Sequence, residues 1–132
     1  MAAFILNGQG ELLVARRAKD PVKGTLDLPG GFVDNNENAE QGIVREILEE
    51  TGLKVEPKDV KYLFSIPNIY RYSGMDIHTL DLFFLCHVDD VEVKAADDAA
   101  ELSWLPLREV YVERFGLRSI REAVHRFLQQ KR

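Results

Sequence analysis

Cysteine is almost missing from this sequence. Cys86 is the one thiol, which excludes an internal disulfide framework and a zinc ribbon built on cysteines. Long apolar runs are missing too. Stretches such as Leu82–Leu85 with Cys86 fall far short of the ~20 residues that a membrane-spanning helix needs. No charged segment followed by an apolar one opens the chain, so no secretory signal is read. An excess of positive charge is also lacking: 17 Lys and Arg against 22 Asp and Glu leave a net charge of −5. That balance offers no footprint for duplex nucleic acid or an anionic membrane. No repeat, low-complexity stretch or linker divides the 132 residues. The expectation is one domain over 1–132, soluble and cytoplasmic in a reducing compartment.

What is present is ordinary for a folded core: 45% of residues are hydrophobic. The chain opens like a hairpin, with apolar Ala2–Leu6, turn chemistry at Asn7-Gly8-Gln9-Gly10, and a second strand over Glu11–Arg17. A loop, Ala18–Thr25, leads to Leu26-Asp27-Leu28-Pro29-Gly30-Gly31, whose Pro-Gly-Gly turn admits unusual backbone geometry. A helix is expected from Asn38, with Gln41 in the capping-box position and Gly52 as its stop. Ala39, Ile43 and Ile47 form its apolar stripe, widened by Val44 and Leu48. Strands are expected over Val60–Ile66, Thr79–Val88 and Glu101–Leu105. Leu117, Ile120, Val124 and Leu128 mark a closing amphipathic helix. Strands and helices in this order argue for an α/β/α sandwich around a mixed sheet.

The end of the first helix breaks two local rules in one turn. Glu46 stands three residues before Glu49 and four before Glu50, so the three carboxylates share one side. They also crowd the C-terminal end, where the helix dipole favours cations by roughly 0.3–1 kcal/mol. Such violations tend to mark functional sites. A hard divalent cation resolves both, and Mg²⁺ leaves positions for substrate phosphates. The competing reading is a solvated acidic helix end, partly neutralised by Arg45. His78, His87 and His125 show no metal-ligand spacing, and Cys86 reads as a buried strand residue. Asp97 and Asp98 read as loop solvation.

The wider spacing carries more weight. Gly31, five residues, Glu37, seven residues, then Arg45-Glu46-Ile47-Leu48-Glu49-Glu50-Thr51-Gly52-Leu53 resembles the Nudix box at every fixed position. At about 7% per residue type, seven such matches arise by chance on the order of once in 10⁸ starts. Leu12–Arg17, Leu28-Pro29-Gly30 and Trp104-Leu105-Pro106-Leu107 also look like the family. The resemblance implies hydrolysis of a nucleoside diphosphate linked to another group. It implies Mg²⁺, with Mn²⁺ as the alternative, held by Glu46, Glu49, Glu50 and the carbonyl of Gly30. By the same resemblance Glu37 and Arg45 orient the helix carboxylates. Glu49 or Glu50 is the implied general base, and Glu101 resembles an acidic position that approaches the metals in some branches. A plain strand-edge carboxylate is the competing reading for Glu101.

The partner implied is a small-molecule nucleotide, and family resemblance also allows a homodimer. Ser65, Pro67, Tyr70 and Ser73 agree with the NADH pyrophosphatase signature, whereas Ile66, Asn68, Ile69 and Arg71 depart from it. Tyr70 also stands 17 residues after Leu53, where dinucleoside-polyphosphate hydrolases carry a tyrosine. Arg17 resembles a position that contacts substrate phosphate. Phe64, Tyr70, Tyr72 and Trp104 each offer a face for stacking on a base, with core packing as the competing reading. A nucleotide sensor that binds without cleaving remains the alternative to the hydrolase.

Overall fold

The computed structural model describes residues 1–89 and 101–131; Asp97 and Asp98 lie outside the described residues. Its strands are β1 (Ala2–Leu6), β2 (Leu12–Arg16), β3 (Leu26–Asp27), β4 (Val60–Tyr72), β5 (Met75–His87) and β6 (Glu101–Leu105). They form one sheet in the order β3-β2-β1-β5-β4, with β6 paired to β2 as well. β1 runs parallel to β5, from Ala2 opposite Phe83 to Leu6 opposite His87. The other pairings are antiparallel.

Alternation along the strands divides the core in two. Phe4, Leu6, Leu12, Val14 and Phe83 pack with Ile120, Val124 and Phe127 of α2 (Arg118–Gln130). Their neighbours Ala3, Ile5, Leu13 and Phe84 pack with Ile43 and Ile47 of α1 (Ala39–Thr51). A period of two therefore puts one helix on each face, and the α/β/α sandwich follows. Phe4 anchors the α2 side, stacked on Phe127 with ring centroids 4.2 Å apart.

Three expectations need correcting. The opening hairpin is splayed: β1 and β2 pair only at Leu6 and Leu12, after which β1 follows β5 and β2 follows β6. Leu48 does not widen the helix stripe, because it is 48% exposed. The largest difference is the β4–β5 hairpin, which is much longer than the two short strands expected. Both strands have 13 residues and meet at Ser73-Gly74, whose φ values of 51° and 78° suit a two-residue hairpin turn. Pro67 is tolerated within β4 because that strand lies at the sheet edge. A bulge between Tyr62 and Phe64 moves Phe64 from the α1 face to the α2 face, opposite Phe83.

Candidate active site

α1 is built as its sequence indicates. The Asn38 side chain accepts from Gln41 N–H at 2.8 Å, and the Gln41 side chain accepts from Asn38 N–H at 2.9 Å. At the other end Gly52 takes φ 76° and returns its N–H to Leu48. No basic side chain lies in the last turn, so nothing there offsets the dipole for Glu49 and Glu50.

The Pro-Gly-Gly turn is pinned against β1 and against this helix end. Ala3 N–H donates to Pro29 O at 2.9 Å and Gly31 N–H to Met1 O at 3.0 Å. Gly30 N–H donates to Glu50 Oε2 at 3.0 Å. A Cβ at Gly31 would stand 2.5 Å from the Glu46 carboxylate and displace it, and one at Gly30 would meet the backbone of Met1 and Ala2. The turn and the helix glutamates thus form a single assembly, with backbone and carboxylate in contact.

Arg45 is its hub. One face of the guanidinium meets Glu37 Oε1 at 2.7 Å and Asp34 Oδ2 at 3.2 Å. Its Nη1 meets Glu46 at 3.0 Å and Glu49 at 3.2 Å, while Nη2 also donates to Phe32 O at 3.0 Å. Arg45 holds Glu37 below the usual carboxylate range, helped by the Asp34 N–H. Glu46 goes the other way: burial raises it, more than Arg45 lowers it. Glu50 is moved furthest. Burial pushes its carboxyl up to about 7, with Glu46, Asp27 and Glu49 adding repulsion against the lowering by the Gly30 N–H.

Among the described residues, no three His, Cys, Asp or Glu side chains are gathered into a ready-made metal cage. Glu46 and Glu49 are turned to Arg45, and Glu50 to Gly30. The donor chemistry nevertheless fits a hard cation: carboxylate oxygens crowd one helix end beside a backbone turn. Glu49, with its side chain 59% exposed, is the freest to turn inward.

The remaining candidates separate. Arg17 is fixed by Asp27 at 2.9 Å and by Pro21 O at 2.9 Å. Tyr70 meets Phe32 edge-on at 6.0 Å and so borders the turn. Trp104 lies opposite Leu13 and packs on the α1-side core, which is a packing position. Phe64 likewise packs in the α2-side core. Glu101 does not join the helix glutamates. It shares a cleft with Val14, Arg16, Leu26, Ser103, Leu105 and Arg114. Val14 and Leu26 belong to the α2 face, across the sheet from α1. The strand alternation puts Glu101 there, because Leu102 and Trp104 face α1.

Besides Asp34, which pairs with Arg45, two acids were missed in the sequence. Asp27 lies close enough to act on Glu50, and burial raises its own carboxyl. Asp81 lies between Asn68 and Thr79 on the hairpin stem. Both stand between leucines, and an acid inside an apolar strand was the available signal.

The chain matches the NUDIX domain model over residues 1–127 and belongs to that family. An ADP-ribose pyrophosphatase of Methanocaldococcus jannaschii is 35% identical over 106 residues, covering 80% of this chain and 60% of that protein. A MutT-like protein of Streptomyces ambofaciens is 31% identical, covering 83% of this chain and 64% of its own length. The chain therefore spans less than two thirds of either relative. The crystal structure of a MutT NUDIX hydrolase from Burkholderia pseudomallei has a TM-score of 0.76 at 28% identity, covering 94% of this chain and 92% of that one.

Proposed function

We propose that this chain hydrolyses the diphosphate linkage of a nucleoside diphosphate joined to another moiety. The observation that carries the reading is the assembly of Glu46, Glu49 and Glu50 against the Gly30-Gly31 turn. Glu50 is bonded to that turn, and Glu46 and Glu49 share one arginine nitrogen. Glu46, Glu49, Glu50 and the Gly30 carbonyl would hold Mg²⁺, or Mn²⁺ in its place. When bound, the cation neutralises the diphosphate and favours ionisation of the attacking water. Water adds at phosphorus, the bridging P–O bond breaks, and a nucleotide and a second phosphorylated product leave.

The protein groups have separable tasks. Arg45, anchored by Glu37, keeps Glu46 and Glu49 oriented at the helix end. Glu49 or Glu50 accepts the proton of the attacking water. Arg17, its guanidinium fixed by Asp27, takes the task of meeting a phosphate oxygen that its resemblance to the family position implies. Tyr70 and Phe32 form an aromatic border where a base can rest. Among the described residues, no helix is long and apolar enough to cross a membrane.

The name of the Methanocaldococcus jannaschii relative makes ADP-ribose the first substrate to try. Nucleotide release should be followed with Mg²⁺ for ADP-ribose, NADH, a dinucleoside polyphosphate and several nucleoside triphosphates. One strongly preferred diphosphate supports the reading. Nucleotide binding without turnover of any of them would replace it with a sensor.

A further inference from the structure

An acid in the middle of an apolar strand needs a reason. Asp81 follows Leu80 in β5 and lies two residues before the fully buried Phe83. It is opposite Ile66, and both Ile66 and Phe83 belong to the α2-side core, so the half-buried Asp81 shares that face. The carboxylate is held from several sides. Thr79 Oγ1 donates to Oδ1 at 3.1 Å and Asn68 Nδ2 donates to Oδ2 at 3.3 Å. The Tyr70 hydroxyl, pushed up by burial, lies near enough for the Asp81 charge to raise its pKa further. Asn68 is itself fixed to α2 by Ser119 at 3.2 Å and Arg118 at 3.2 Å. Among the described residues, no lysine or arginine neutralises Asp81.

This cluster adjoins the candidate active site. The Tyr70 ring meets that of Phe32, the residue after Gly31. The Met1 nitrogen donates to Gly31 O at 2.9 Å and lies within the fields of both Asp81 and Glu46. Asp27 acts in turn on both Tyr70 and Glu50. A carboxylate so placed is unsuited to phosphate, which brings negative charge and acceptors. It suits donors, because an ionised carboxyl group only accepts.

We propose that Asp81, held by Asn68 and Thr79, binds the vicinal hydroxyls of a ribose, with Phe32 and Tyr70 beside the attached base. The choice of a nucleotide as ligand rests on the hydrolase reading. After its bonds to Thr79 and Asn68, each carboxylate oxygen keeps a lone pair, and neighbouring hydroxyls supply a matching pair of donors. The site therefore selects ribonucleotides over deoxyribonucleotides.

Calorimetric binding of AMP, 2′-deoxy-AMP, 3′-deoxy-AMP and IMP tests this without requiring turnover. Wild type should bind AMP about 10-fold or more tightly than either deoxynucleotide, as loss of a charge-assisted hydrogen bond implies. IMP should bind like AMP. Asp81→Asn should weaken AMP most and narrow its advantage over the deoxynucleotides, each of which keeps one hydroxyl and so loses less. Thr79→Val should narrow the same ratio, and it serves if circular dichroism shows that Asp81→Asn has not folded. Equal binding of AMP and the deoxynucleotides to wild type would overturn the proposal. So would selective loss of IMP, which assigns Asp81 to the base amine, or a ratio that survives both substitutions. A ribose preference in a protein that turns over no diphosphate would count against the hydrolase reading and leave this one standing.

Discussion

Arg45 faces four carboxylates, and each of them has a different use for it. Glu37 fixes the guanidinium at 2.7 Å, which leaves Nη1 to share between Glu46 and Glu49. A lysine at this position keeps the charge but loses the planar fork that reaches several partners together. Arg45→Lys should therefore lower kcat/KM about 10- to 100-fold and raise the Mg²⁺ concentration needed for half-maximal activity. An unchanged metal titration would remove Arg45 from the positioning of these glutamates. At this scale the sequence was readable where spacing carried the meaning, as at Glu37 and Arg45. It was silent about Asp27 and Asp81, whose importance depends on which strand face meets the turn. Glu101 illustrates the same limit: its distance along the chain from Trp104 did not reveal the sheet between it and α1.

Among the elements, α1 was legible almost to the residue. Asn38, Gln41 and Gly52 act locally, and local hydrogen bonds can be read from short spacings. Removing the N-cap tests how much they contribute: Asn38→Ala should lower stability by about 1 kcal/mol in a denaturant titration. No change would mean that packing of Ile43 and Ile47 alone sets the start of the helix. The β4–β5 hairpin was less legible because Pro67 and Asn68 look like the end of a strand. Edge position makes Pro67 acceptable, and an edge is a property of sheet order, which no short window contains. The bulge after Tyr62 adds a second reason, since it inverts the face pattern partway along β4.

For the whole molecule, the candidate site places a load on the fold that depends on pH. The Glu50 carboxyl sits at about 7 when folded, against an ordinary value of 4.5. Between these values the folded protein keeps a proton that the unfolded chain has released, so stability falls as pH rises through the window. Burial of Asp27 and Glu46 acts in the same direction. Glu37 opposes it only below the ordinary carboxylate range, where Arg45 keeps it ionised in the folded state. The buried Met1 amine, lowered from 8.0, opposes it within the window but by less than the combined carboxyls. Metal-free protein should accordingly melt at a lower temperature at pH 7.5 than at pH 5.5. Glu50→Gln should flatten that difference, and added Mg²⁺ should raise the melting temperature of wild type at pH 7.5. A melting temperature that climbs across this window would contradict the strain assigned to the helix end.

Diphosphate hydrolysis is proposed to depend on the glutamates at the end of α1. Phosphorus NMR of ADP-ribose with wild type, with Glu50→Gln, and with wild type in excess EDTA addresses it most directly. With wild type and Mg²⁺, AMP and ribose 5-phosphate should accumulate; with Glu50→Gln they should form orders of magnitude more slowly, and in excess EDTA they should not form. Hydrolysis that continues undiminished in EDTA, or equally fast with Glu50→Gln, would contradict it.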